Sequence, residues 1–211
     1  MAGDPAPGRP RTAAEWDRRY AGEAYRFGTE PNRFLVACAD LLHEGDRALC
    51  VADGEGRNSV WLASRGLVVD AFDVSAVGVA KARRLAAERG VSVRFEVAGA
   101  EEWSWPEAAY DVVVAVFIQF APPEQRRRIF GLIARALRPG GLLLLEGYRV
   151  EQLEYGTGGP GVPDQLYTEP QLRAELDAFA IERLDSYDEV VEEGSGHSGM
   201  SALIDVVARR A

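Results

Sequence analysis

Apolar and polar positions along the chain alternate between two rhythms, a short β-type run and a longer helical one. From Arg47 an apolar run reaches Ala52, and the polar, glycine-bearing loop Asp53-Gly54-Glu55-Gly56-Arg57-Asn58 follows it. Ser59 to Ala63 is apolar with helical spacing, Gly66 closes it, and a second β-type run from Leu67 to Phe72 ends on Asp73. Ser75 is placed to cap a helix over 76–89 that Gly90 ends. Residues 91–97 alternate as a strand, 98–109 read as a loop, and 110–117 form a nearly continuous apolar run, the mark of a strand buried on both faces of a parallel sheet. A helix from Pro122 through Leu137 and a sharp turn at Pro139-Gly140-Gly141 lead into a strand over 142–147. Strand and helix alternate throughout, so the central unit is a parallel sheet with right-handed crossovers.

Both ends of the chain depart from that rhythm. Thr12-Ala13-Ala14-Glu15 has the form of a capping box for a helix carrying Trp16 and Tyr20. Thr29 is expected to cap a second helix with Pro31 in its first turn and Phe34, Leu35, Cys38, Leu41 and Leu42 as its apolar face. Between the two lies a polar-aromatic link with Tyr25 and Phe27, which fits either plain packing or a lid over a pocket at the strand ends. After the fifth strand, 148–167 is a long loop of Gly, Pro and Tyr, a helix is expected over 170–178, and strands over 181–191 and 200–208 are joined by Gly-Ser-Gly-His-Ser-Gly with no helix between. That last pair is an antiparallel hairpin appended to a parallel sheet.

The chain of 211 residues is long enough for one domain with a real core: residues 1–12 are expected to be a disordered tail and 13–211 a single domain. A formal net charge of −9, with no basic stripe beyond Arg126-Arg127-Arg128, argues against a nucleic-acid partner. No run reaches membrane-span length and no signal-type stretch opens the chain, so a cytoplasmic protein, monomeric or homodimeric, is expected. Cys38 and Cys50 stand in apolar contexts as reduced core residues.

The chemistry is concentrated at the glycine loop. Glycines allow backbone N–H groups close to a ligand, and an acid ending the second strand can take two ribose hydroxyls. Asp73 follows Gly54 by 19 positions, near the ~20 of a nucleotide-type site. The alternative is a tight turn with Asp73 merely capping the next helix. No metal-ligand cluster is apparent, and His43 and His197 are the only histidines.

Taken in order, the glycine loop, the acid after strand two, Pro-Gly-Gly before strand five and the terminal hairpin resemble the class I S-adenosylmethionine-dependent methyltransferases. The segments GEGRNSVWLASRG, VVDAFDVS and RALRPGGLLLLEGY are similar to the tellurite-resistance and thiopurine-type branch. The resemblance covers roughly residues 14–210 and implies a Rossmann-like doubly wound sheet of order 3-2-1-4-5-7-6 with the last strand antiparallel, the two N-terminal helices forming a partial lid. It implies S-adenosylmethionine as cofactor and a small-molecule substrate. The cofactor site would draw on Trp16, Ala52, Asp53, Gly54, Gly56, Asn58, Asp73, Val74, Ser75, Gly99, Ala100, Glu101, Val116 and Phe117. Within it, Gly54 and Gly56 would meet the methionine part, Asp73 the ribose, Val74, Ala100 and Glu101 the adenine, and Val116 and Phe117 the sulfonium. Cys50, Ala52 and Gly99 depart from the family pattern, which assigns an acid, a glycine and an aspartate there; Asp53 or Glu55 would then hold the methionine ammonium.

Methyl transfer from a sulfonium is an in-line displacement that needs alignment and exclusion of water. A neutral oxygen or nitrogen nucleophile also needs a general base. The candidates are few: His197, and tyrosines such as Tyr148, Tyr155 and Tyr167. Their scarcity favours a soft nucleophile such as a thiol, hydrosulfide, halide or selenium/tellurium species, with an O- or N-methyltransferase as the alternative. An NAD-linked oxidoreductase shares the loop and Asp73, but Ser59 stands where its third glycine would be. A non-catalytic module that binds the cofactor also stays open.

Overall fold

The computed structural model describes residues 11–211, so most of the expected tail lies outside the described residues. Seven strands form one sheet in the order β3-β2-β1-β4-β5-β7-β6. They are β1 (Arg47–Val51), β2 (Val68–Asp73), β3 (Val93–Val97), β4 (Tyr110–Val116), β5 (Leu137–Tyr148), β6 (Phe179–Glu193) and β7 (His197–Arg210). The first five pair in parallel, and β7 runs antiparallel to both β5 and β6. This is the expected topology. The helices are α1 (Ala13–Tyr20), α2 (Arg33–Ala37), α3 (Arg57–Ser64), α4 (Ala76–Glu88), α5 (Pro123–Ala136), α6 (Gln152–Tyr155) and α7 (Glu169–Glu175).

Alternation along each strand divides the core into two layers. Leu49 and Val51 of β1 and Leu143 and Leu145 of β5 face one side, where Ile129, Phe130 and Ile133 of α5 and Leu172 of α7 cover them. Ala48, Cys50, Leu142 and Leu144 face the other side, against Phe34 and Leu35 of α2 and Leu62 of α3. Both cysteines are free and buried.

Three local expectations change. The second helix is capped by Asn32, whose side chain accepts the Leu35 N–H, rather than by Thr29. It ends at Ala37, and Leu41 falls in a following 3-10 turn. Pro139-Gly140-Gly141 is a bulge inside β5 rather than the turn before it: Tyr110 pairs with Leu137 and Val112 already with Leu142, so four residues are accommodated opposite Asp111. The long loop after β5 contains α6 and a 3-10 turn at Pro163–Gln165. Among the described residues, no helix is long and apolar enough to cross a membrane.

Candidate active site

The strand order reverses between β1 and β4, and a cavity of about 430 Å³ lies at their carboxyl ends. The residue after each of these two strands, Ala52 (φ 50°) and Phe117 (φ 54°), has left-handed backbone, and both line the cavity. Such conformations are costly for side-chain-bearing residues and persist where the surroundings enforce them. Here they turn the chain abruptly away from the sheet and leave the space above it open.

The glycine loop is shaped by its neighbours. A Cβ on Gly56 would stand 2.6 Å from Cβ of Ala82, so this glycine serves the close packing of α4 on the loop and does not line the cavity. Gly54 does line it, and a Cβ there would stand 2.8 Å from the Tyr20 hydroxyl oxygen. Asp73 secures the loop: one carboxylate oxygen accepts the Gly54 N–H at 2.9 Å, the other the Ser75 N–H at 2.8 Å. Burial pushes its carboxyl up to about 6 despite those two hydrogen bonds. Asp53 accepts a 2.5 Å hydrogen bond from the Ser59 hydroxyl, and burial pushes it up to about 7.

Trp16, Ala52, Asp53, Gly54, Asn58, Asp73, Val74, Gly99, Ala100, Glu101, Val116 and Phe117 all line this one cavity, as do Tyr148 and His197. Ser75 does not. It caps α4 by accepting the Gly78 N–H, and its hydroxyl donates to Asp17 at 2.5 Å. Tyr155 is set apart on the surface, donating to Asp188, because the four-residue α6 turns it outward; as a candidate catalytic group it is withdrawn. Glu55 is likewise turned away, into an ion pair with Lys81, which leaves Asp53 as the acid beside the loop. Glu101 is engaged by Arg128 at 2.9 Å and Gln125 at 3.0 Å.

The opposite wall joins His197, a candidate base in the sequence, to groups the sequence did not single out. His197 is not in the hairpin turn but is the first residue of β7, buried, with its ring 4.4 Å from that of Phe27 and 4.3 Å from that of Phe117. Its Nδ1 faces Glu193 across the hairpin at 3.7 Å, a charge contact too long for a direct hydrogen bond. Nε2 is therefore the nitrogen turned to the cavity. Glu193 in turn accepts from Arg57 Nη2 at 2.7 Å and from the Asn32 amide at 3.2 Å. Burial acts to raise the Glu193 carboxyl, but His197 and Arg57 outweigh it and hold it at about 2. Burial holds His197 below its ordinary value, so it is neutral near pH 7. Glu193 and Arg57 lie 136 positions apart, and only the fold reveals their pairing.

The aromatic link forms the roof. Trp16, Tyr20, Arg26 and Phe27 line the cavity, and the segment is tied down at several points. Lys81 Nζ donates to the carbonyls of Tyr20, Gly22 and Ala24. Glu55 accepts the Arg26 N–H at 2.7 Å, and the Arg26 carbonyl accepts the Gly196 N–H at 2.9 Å. The tyrosines after β5 divide: Tyr148 joins the wall, whereas Tyr167 is buried beneath, against Phe130.

Residues 48–141 match the family model described as "Methyltransferase domain". The match covers less than half of the chain and marks these residues as similar to such a domain. The fold is that of the class I S-adenosylmethionine-dependent methyltransferases. The chain is similar to 27-O-demethylrifamycin SV methyltransferase of Amycolatopsis mediterranei, with 35% identity over 107 residues, 49% of this chain and 39% of that protein. Across the whole fold, a solved structure concerned with conversion of a disulfide bond into a thioacetal group during echinomycin biosynthesis superposes with TM-score 0.78 at 21% identity, covering 95% of this chain and 92% of that one. An S-adenosylmethionine-dependent methyltransferase from Methanosarcina mazei gives TM-score 0.70 at 20% identity, covering 86% and 98%. The chain spans 39% of the length of the curated relatives it matches. The tellurite-resistance and thiopurine-type branch is not singled out by these likenesses.

Proposed function

We propose that the protein, with 13–211 as one domain, transfers a methyl group from S-adenosylmethionine to a small molecule, and that His197 is the general base for a protonated oxygen or nitrogen nucleophile. One observation carries the reading: the buried imidazole of His197 lines the same cavity that Asp73 and the Gly54 loop border. The donor set suits the cofactor. Each Asp73 oxygen accepts one backbone N–H and keeps a lone pair for a ribose hydroxyl. Asp53 stands where an ammonium would be met, and the faces of Phe27, Phe117 and Tyr148 suit a sulfonium. S-adenosylmethionine would supply the methyl group and a good leaving group. The chain's own part is to exclude water beneath the roof, align the acceptor, and take its proton at Nε2 while Glu193 stabilises the imidazolium that results.

The second reading keeps the soft nucleophile. Its ground was the scarcity of bases, and a histidine on the cavity wall removes much of that ground. The two readings separate by turnover of S-adenosylmethionine with paired acceptors. With phenols or amines His197→Gln should lose ~10²–10⁴-fold, the range of general-base catalysis, while thiols already ionised at the assay pH lose little. Equal, small losses across both classes would favour the soft nucleophile instead.

A further inference from the structure

The cavity wall carries both signs of charge. Asp53, Asp73, Glu101 and Glu102 border it where β1, β2 and β3 end. Around His197 the wall is built from Arg26, Phe27, Arg57, Phe117, Gln119 and Tyr148, with no carboxylate among the described residues that line that end. Arg57 shares its charge with Glu193, yet its Nη1 is buried without a hydrogen-bond partner. Arg26 forms no ion pair among the described residues, and its Nε is also buried and unpartnered. It is nevertheless held in place. Its carbonyl accepts the Gly196 N–H, and its guanidinium lies 5.9 Å from the Phe27 ring centre, the ring that packs on His197. A Cβ on Gly196 would stand 3.1 Å from Arg26 Cγ, so the stem is seated against the β6–β7 turn.

A half-buried cation fixed beside a candidate base, with N–H groups lacking acceptors, costs free energy unless an anion completes it. We propose that the methyl acceptor is a small carboxylate-bearing molecule, its carboxylate received by Arg26 and Arg57 and its nucleophilic atom set at His197 Nε2. This deepens the methyltransferase reading and rests on it. The arginines adjoin the imidazole, where the acceptor presents its nucleophile; the carboxylate of the cofactor itself is the competing anion, and the affinity of Arg26→Gln for S-adenosylhomocysteine separates the two.

The test uses the full chain saturated with S-adenosylhomocysteine and titrates, by calorimetry, a panel of small aromatic and aliphatic carboxylates, each beside its neutral amide. At least one carboxylate should bind about tenfold or more tightly than its amide, the worth of a charge-assisted hydrogen bond. Arg26→Gln, which leaves the backbone contacts of the roof in place, should erase that preference while S-adenosylhomocysteine binds as before. Arg57→Lys, which keeps a cation for Glu193, should reduce the preference in the same way. A panel in which no carboxylate is preferred, or an Arg26→Gln variant that weakens S-adenosylhomocysteine as much as the carboxylate, overturns the proposal. Failure of the unaltered protein to bind S-adenosylhomocysteine would count against the methyltransferase reading itself, so the two failures are distinct.

Discussion

Lys81 holds the roof of the cavity, and its removal tests whether that roof is a loose flap or a latched element. Its ammonium lies 2.5 Å from Glu55 Oε1, with both side chains almost wholly buried, and it donates to the carbonyls of Gly22 at 2.9 Å and Ala24 at 2.7 Å. In Lys81→Met the Glu55 carboxylate keeps only its backbone partners, the N–H groups of Arg26 and Phe27. Breaking one side of a buried ion pair costs ~3–5 kcal/mol because the remaining charge is stranded. For a chain of this size that is a fall in Tm of ~6–20 °C, at ~2–4 °C per kcal/mol. Lys81→Met with Glu55→Gln should recover most of the loss, since the stranded charge is gone and the freed carbonyls of the exposed link return to water. Urea denaturation of the two single variants and the double variant gives the coupling directly. A Lys81→Met cost below ~1 kcal/mol, in the range of a surface pair, with no recovery in the double variant, would refute the latch. A latched roof also means that deleting residues 1–28 should lower stability as well as turnover, because the deletion strips three carbonyls from Lys81 and two N–H groups from Glu55.

Gly56→Val should lower stability before it touches any ligand, because its Cβ would meet Ala82 at 2.6 Å and its φ of 91° disfavours a branched residue; Tm and calorimetry on the same sample separate the two. Asp53 titrates at about 7 when folded against an ordinary value of 3.8, so its contribution to stability is complete below pH 3.8 and lost as pH rises through 7. Asp53→Asn should therefore stabilise the ligand-free protein at pH 8 by ~2 kcal/mol, about half of what the full shift implies, with no gain below pH 4; equal effects at both pH values would contradict the assignment. Glu193 has the opposite sign: held at about 2 against 4.5, it stabilises above pH 4.5 and that support is lost as pH falls toward 2. His197, kept neutral by burial, adds a loss that begins as pH drops below 6.5. Glu193→Gln should flatten the acid limb of a Tm-against-pH curve, and an unchanged limb would show that the pair does not act as described.

The strands and helices were legible because their signals are local and repeated: strand runs, glycine stops and the capping residues Thr12 and Ser75 each appear within a few positions, whereas the order of the strands came from the family resemblance. The glycine loop and Asp73 were legible for the same reason. Gly56 was found for the wrong reason, since a glycine required by a neighbouring helix looks in sequence like one required by a ligand. The Asn32 cap was missed because Thr29 has equal intrinsic standing, and only tertiary contact decides: Asn32 also meets Asn58 and Glu193. The other cavity wall was legible only in part: His197, Tyr148 and Phe117 were candidates, but their grouping with Arg26, Arg57 and Glu193 was not. Arg57, Glu193, His197 and Arg26 come from a helix start, two ends of a hairpin and a loop, and no periodicity joins positions so far apart. Charge counted along the chain, −9 in total, also hid the arginines that gather beside His197.

The central claim is that the cavity bordered by Gly54 and Asp73 receives S-adenosylmethionine. Calorimetric titration of S-adenosylhomocysteine into the protein, beside NAD as a control and beside Asp73→Asn, tests it most directly. The account predicts one-to-one binding of S-adenosylhomocysteine, none of NAD, and a loss of ~10–150-fold in Asp73→Asn, the value of hydrogen bonds to a charged group. A folded protein that ignores S-adenosylhomocysteine, or binds it equally well without the Asp73 charge, would contradict the account.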